Sequence, residues 1–234
     1  GLNIRKYYKS NVTNSLNLLR KFRKLNDYKF CYLKSMSRAL CLQCQRPEKA
    51  CICAFAVNVA NHIDVLVLQH PSEVKQSKGT VTLLQQSLSS CEVIVGEDFS
   101  QCQLLTERLA YYGDKIALLY PSEQALELST QSAELVKNKL SDIKCLIILD
   151  GTWKKAYRIF MLNPCLHKIK HIILPQGIAS LYQIRKTKKN NALSSLEACC
   201  HALIYLENKA ENYQALLDSF VKFNQFQQSF SKRV

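Results

Sequence analysis

Short runs of apolar, largely β-branched residues recur through the middle of the chain: "IDVLVLQ" (63–69), "CEVIVG" (91–96), "KIALLYP" (115–121), "CLIILD" (145–150) and "HIILP" (171–175). Their lengths suit strands, and their nearly continuous hydrophobicity suits strands covered on both faces. Residues 80–89, 101–112, 131–141 and 152–162 carry helix-compatible patterns between them, and two longer helical patterns follow at 193–208 and 210–230. This alternation predicts an α/β fold: a mostly parallel sheet with helices on both faces. A basic loop, "RKTKKNN" (185–191), precedes the last two helices, and the sequence holds no internal repeat or low-complexity linker.

In open parallel sheets, ligands bind outside the carboxyl ends of the strands, where several loops meet. Three such loops carry chemistry. "LDGTW" ends one strand in Asp150, followed by Gly151 for close backbone approach, Thr152 as a candidate helix cap and Trp153. "LQHPSE" brings His70, Pro71 and Glu73, and "LPQGIASLYQIRKTKK" follows the last strand. Neither a G-x-G-x-x-G nor a G-x4-G-K-[ST] is present, so the usual dinucleotide and P-loop sites lack their sequence signals.

At 234 residues and 47% hydrophobic content the chain can bury a sizeable core. No window of about eighteen apolar residues and no apolar signal core occur, so a soluble, cytoplasmic protein without a membrane segment is expected. Charge adds a partner class. The formal net charge is +14, and residues 1–40 hold ten Lys and Arg against the single acid Asp27. Such a concentration is the electrostatic footprint of a polyanion partner, driven by counterion release; a solvated tail is the plain alternative.

Eleven cysteines divide into two groups. Cys31, Cys91, Cys102, Cys145, Cys165, Cys199 and Cys200 lie scattered in apolar contexts and read as small buried hydrophobes. "CLQCQRPEKACIC" instead places Cys41, Cys44, Cys51 and Cys53 as C-x2-C-x6-C-x-C, a density suited to four thiolates around one tetrahedral Zn²⁺. With every position filled by protein, the ion's role would be structural; chance clustering in a cysteine-rich chain, or a redox pair, is the alternative. The expected organisation is a basic N-terminal segment (1–40), a four-cysteine zinc module (41–60) and one catalytic domain with C-terminal helices (61–234).

The D-[G]-T-W run at Asp150, Thr152 and Trp153, the upstream cysteine cluster, "HPSE" and "LSSLEA" (193–198) together resemble the DTW-domain proteins, in the same order from residue 41 to about 206. These are similar to tRNA-uridine aminocarboxypropyltransferases. The resemblance implies transfer of the 3-amino-3-carboxypropyl group of S-adenosylmethionine to N3 of a tRNA uridine, with release of methylthioadenosine. It also implies a core related to the SPOUT class, with the cofactor in a knotted C-terminal loop region. Ser180, Tyr182, Arg185, Ser194 and Glu197 match the family pattern S-x-Y-x-x-R … L-S-[ST]-x-E-A. They are accordingly expected on the cofactor side, Arg185 pairing with the cofactor's carboxylate or a tRNA phosphate, and Glu197 meeting its amino group or supporting Arg185. Ser195 stands where the family usually has threonine, keeping the hydroxyl and losing a methyl.

The sulfonium is already a strong electrophile, so the protein must aim its carbon and relieve uridine N3 of a proton. Asp150 is the candidate general base or the group holding the uracil edge, set against a plain role as cap of the following helix. Trp153 is either a base-stacking surface or core. His70 and Glu73 either contact the substrate or fix the loop after Pro71, and Lys154, Arg158, Lys186, Lys188 and Lys189 complete the expected RNA contacts, with Lys155 on the same helix. A monomer is expected. A non-catalytic RNA-binding protein and an S-adenosylmethionine-dependent RNA methyltransferase are the alternatives, separable by the nucleoside by-product.

Overall fold

The computed structural model describes residues 39–128, 138, 140–178, 180–181 and 193–231. Six strands form one sheet: β1 (Asp64–Gln69), β2 (Cys91–Val95), β3 (Ile116–Leu119), β4 (Leu126–Glu127), β5 (Cys145–Asp150) and β6 (Lys170–Ile173). Their order is β2-β1-β5-β3-β6-β4, and every pairing is parallel. The five apolar runs all became strands. The two-residue edge strand β4 lacks a comparable run, and no expectation covered it.

Described helices are α1 (Val81–Ser87), α2 (Gln103–Tyr112), α3 (Trp153–Leu162), α4 (Ser195–Glu207) and α5 (Ala210–Ser231). The helix expected over 131–141 falls largely outside the described residues. Residues 1–38 and 182–192, which contain Cys31, Tyr182, Arg185, Lys186, Lys188 and Lys189, lie outside them altogether.

Alternation along each strand divides the core in two. Val65, Val67, Leu146 and Ile148 point to one face and pack with Leu83 and Leu84 of α1, Leu196 and Leu203 of α4, and Tyr213, Phe220 and Phe223 of α5. Leu66, Leu68, Ile147 and Leu149 point to the other and pack with Leu105 of α2 and Ala156 and Ile159 of α3. Helices therefore cover both faces. No helix among the described residues is long and apolar enough to cross a membrane.

The chain leaves β1 through α1 on the first face to reach β2, and leaves β5 through α3 on the second face to reach β6. Adjacent strands β1 and β5 thus send their connections in opposite directions, which opens a crevice at their carboxyl ends. The register sets Gln69 directly beside Asp150.

Candidate active site

Asp150 closes β5 at this crevice. Its parity matches Leu146 and Ile148, so its side chain faces the layer containing α4. There Ser195, the first residue of α4, donates its hydroxyl to Asp150 Oδ1 at 2.5 Å, and Gln69 Nε2 donates to Oδ2 at 2.9 Å. His70 N–H adds a bond to the Asp150 carbonyl at 3.0 Å. The carboxylate is thus oriented by neutral donors, one per oxygen, and keeps lone pairs for a further N–H. Ser195 retains what this contact uses, its hydroxyl.

Asp150 does not cap the helix that follows. Thr152 does: its Oγ1 accepts the Lys155 N–H at 3.4 Å. Gly151 is needed for packing, since a Cβ there would stand 2.9 Å from Lys155 Cβ and 3.6 Å from His70 Cβ. Trp153 is not core, because it is 63% exposed. Lys154 is exposed as well, whereas Lys155 turns inward and donates to Glu73 Oε1 at 2.6 Å. The carboxylate of Glu73 is therefore engaged within the protein.

His70 is held from both sides. The Ser72 N–H donates to its Nδ1 at 3.2 Å within the short 3₁₀ turn Pro71–Glu73, so Nδ1 is an acceptor and Nε2 carries the proton. That Nε2 donates to Glu97 Oε1, while Glu97 Oε2 accepts from Arg158 Nε at 3.0 Å. These bonds, led by that of His70, hold the Glu97 carboxyl below the ordinary carboxylate range. Nothing in the sequence singles out Glu97, because "GEDFS" offers two acids in a loop with nothing to choose between them.

The second cluster begins α4. Ser194 Oγ accepts the Glu197 N–H at 3.2 Å, and Glu197 Oε2 accepts the Ser194 N–H at 2.7 Å, a reciprocal capping box. Glu197 Oε1 also accepts the Leu181 N–H at 2.5 Å, and Ser180 Oγ reaches both carboxylate oxygens at 3.1 and 3.2 Å. Glu197 is fully buried and Ser194 nearly so. Both oxygens of Glu197 are thus occupied by donors of its own chain, which ties residues 180–181 to the start of α4 and leaves Glu197 as a positioning residue. Asn224 on α5 adds a bond from its Nδ2 to the Leu181 carbonyl at 3.2 Å.

Cys41, Cys44, Cys51 and Cys53 come together with all four Sγ atoms within 4.8 Å of one another. The Cys41–Cys53 and Cys44–Cys51 separations are 3.6 and 3.9 Å. Sulfurs about 2.3 Å from a central ion at tetrahedral angles stand about 3.8 Å apart, so the donor set fits zinc. The turn is built as this requires: Cys41 N–H bonds the Arg46 carbonyl at 2.8 Å, and Gln45 takes a left-handed φ of 56°. The backbone N–H groups of Cys44 and then Gln43 hold the Cys41 thiol down to about 6, whereas burial leads in pushing Cys53 up to about 12. The cluster is anchored to the domain by Arg46, which donates to the Ser77 and Gly79 carbonyls at 2.6 and 3.0 Å and lies 5.9 Å over the Phe223 ring. Ser219 of α5 adds a bond to the Phe55 carbonyl at 2.6 Å.

The other cysteines are less uniform than expected. Cys145, Cys199 and Cys200 are buried and Cys91 and Cys102 half-buried, but Cys165 is exposed, because it lies on a 3₁₀ turn whose only fully buried member is Leu166.

A family model for the DTW domain matches residues 38–228. Among curated proteins, the tRNA-uridine aminocarboxypropyltransferase 2 of Macaca fascicularis is 32% identical over 184 residues, covering 77% of this chain and 60% of that protein. Proteins of the same name from Mus musculus and Drosophila melanogaster are each 30% identical, over 73% and 77% of this chain and 57% and 71% of their own lengths. The chain thus spans about 60% of the length of the mammalian relatives. No solved structure matches it. With the family's model matching all but the two ends of the sequence, the chain belongs to the DTW domain family.

Proposed function

We propose that this protein transfers the 3-amino-3-carboxypropyl group of S-adenosylmethionine to N3 of a uridine in tRNA, releasing methylthioadenosine. The observation that carries the reading is the similarity to proteins named tRNA-uridine aminocarboxypropyltransferase 2 across about three quarters of the chain. The geometry around Asp150 supports it.

S-adenosylmethionine supplies an activated carbon on a sulfonium, so the bond to sulfur breaks as the N3–carbon bond forms, and the N3 proton must leave. Asp150, fixed by Gln69 and Ser195, accepts that proton and holds the uracil edge. Glu197 acts at one remove, setting residues 180–181 through Leu181 N–H and Ser180. His70, locked by Ser72 and Glu97, fixes the loop beside Asp150. Tyr182, Arg185 and the lysines at 186, 188 and 189 belong to the same proposal as contacts to the cofactor carboxylate and to RNA phosphates.

Zinc held by Cys41, Cys44, Cys51 and Cys53 would serve structure, since four thiolates would fill a tetrahedral site and leave no position for substrate. The SPOUT relation and a knotted C-terminal crossing are part of this reading, supported by an all-parallel sheet whose β6 is inserted between β3 and β4. A monomer suffices, because α4 and α5 bury Tyr213, Phe220 and Phe223 within one chain.

The by-product tests the chemistry. Incubation with S-adenosylmethionine and unmodified tRNA yields methylthioadenosine on this reading. S-adenosylhomocysteine in its place would make the protein a methyltransferase, and neither product, despite demonstrated tRNA binding, would leave a binding protein.

A further inference from the structure

Helix α3 buries one side and bares the other. Ala156 and Ile159 pack into the core against the sheet. Trp153, Tyr157 and Met161 are 63%, 57% and 50% exposed. A spacing of four residues stacks these three along one stripe, spanning about 12 Å of helix axis. Lys154 and Arg158 follow each aromatic by one residue and form a second exposed stripe alongside, with Arg158 steadied by Glu97 at 3.0 Å. The apolar stripe begins three residues beyond Asp150.

Contiguous exposed apolar side chains mark an interaction surface. What they meet is indicated by their neighbours: cations interleaved with aromatics, in a chain of net charge +14, complement an anionic polymer that carries flat bases. Double-stranded RNA hides its base faces, whereas unpaired nucleotides offer them to aromatic rings and their phosphates to Lys and Arg. A uridine must also leave its neighbours' stack before its N3 can be reached, and a ring that takes over the lost stacking offsets that cost.

We propose that Trp153, Tyr157 and Met161 form a stacking platform for the unpaired nucleotides adjoining the modified uridine, with Lys154 and Arg158 contacting the phosphates between them. This rests on the RNA-modifying reading above and extends it by naming the part of the substrate that is held and the residues, Tyr157 and Met161, that hold it. Stacking is indifferent to base identity, so the platform aligns the strand and leaves sequence choice to other contacts.

Trp153 is the only tryptophan, so its fluorescence reports on this stripe alone. The experiment titrates the full chain with an unmodified tRNA transcript and with a short single-stranded RNA, following tryptophan emission and, separately, anisotropy of labelled RNA. Emission is quenched by both RNAs. Tyr157→Ala weakens RNA binding about 5- to 150-fold, the range that one base–aromatic stack supplies, while Tyr157→Phe restores it and S-adenosylmethionine binding and melting temperature stay unchanged. RNA binding by anisotropy with unquenched emission and unaltered Tyr157→Ala affinity overturns the platform and leaves the function standing. No RNA binding by the wild type removes both. Self-association that Tyr157→Ala abolishes at constant RNA affinity makes the stripe a protein interface, which also overturns the proposal.

Discussion

Replacing Glu197 by glutamine removes one charge and one acceptor from a site that has room for neither change. The fully buried carboxylate accepts the Ser194 and Leu181 backbone N–H groups at 2.7 and 2.5 Å, one on each oxygen, with Ser180 Oγ shared between them. An amide has one oxygen, so its NH2 must oppose one of the two backbone donors, whichever way it is turned. A hydrogen bond to a charged acceptor is lost and a buried N–H is left without a partner, together about 2–4 kcal/mol. For a domain of this size each kcal/mol moves the melting temperature by about 2–4 °C, so the expected loss is roughly 4–16 °C. Calorimetry on purified Glu197→Gln, with titration of S-adenosylmethionine onto the folded variant below its transition, reads both parts. A loss under about 1 °C combined with abolished binding would instead make Glu197 a direct ligand contact that the fold does not need.

Three further outcomes follow from the geometry. Metal analysis of the purified chain finds about one zinc per molecule, and Cys44→Ser or a strong chelator releases it and lowers the melting temperature; an unchanged transition in metal-free protein would contradict a structural role. Because His70 and then Arg158 hold the Glu97 carboxyl below its ordinary value of 4.5, the stability it contributes is present above that value and is lost as pH falls through the lowered one; Glu97→Gln flattens that part of the acid limb in denaturation measured against pH. Alkylation of the native, zinc-loaded protein near pH 8, read by peptide mass spectrometry, modifies the exposed Cys165 and spares the buried Cys145, Cys199 and Cys200; burial raises all four thiols, Cys145 to about 12, so access to the reagent decides the order.

The strands were legible in the sequence because burial on both faces requires unbroken apolar runs, and "DVLVLQ" and "CLIILD" have no other plausible home. The helix caps were legible at Thr152, where side-chain chemistry is local. Strand order was not, since nothing in the run at 145–150 says that it inserts between β1 and β3. That insertion makes the site: it sets Gln69, an unremarked strand terminus, beside Asp150. Ser195 was noticed only as a substitution for threonine, and its contact with Asp150 depends on which face α4 covers. Glu197 stood out as a motif residue, but its burial against Leu181 and Ser180 is a tertiary fact that spacing cannot express. Exposure of Trp153 was equally hidden, because the same residue early in a helix serves a core as readily as a surface.

On the proposed mechanism Asp150, at the carboxyl end of β5, takes the N3 proton while a tRNA uridine receives the aminocarboxypropyl group. The most direct test is mass spectrometry of the nucleosides from unmodified tRNA incubated with S-adenosylmethionine and either the wild-type chain or Asp150→Asn, which keeps the shape and the contact to Ser195. A uridine heavier by one aminocarboxypropyl group is expected with the wild type, and a rate about 10²–10⁴ lower with the variant at equal folding, zinc content and tRNA binding. An undiminished rate in Asp150→Asn would remove Asp150 from the proton transfer, and unmodified uridine in every tRNA that the wild type binds would remove the transfer itself.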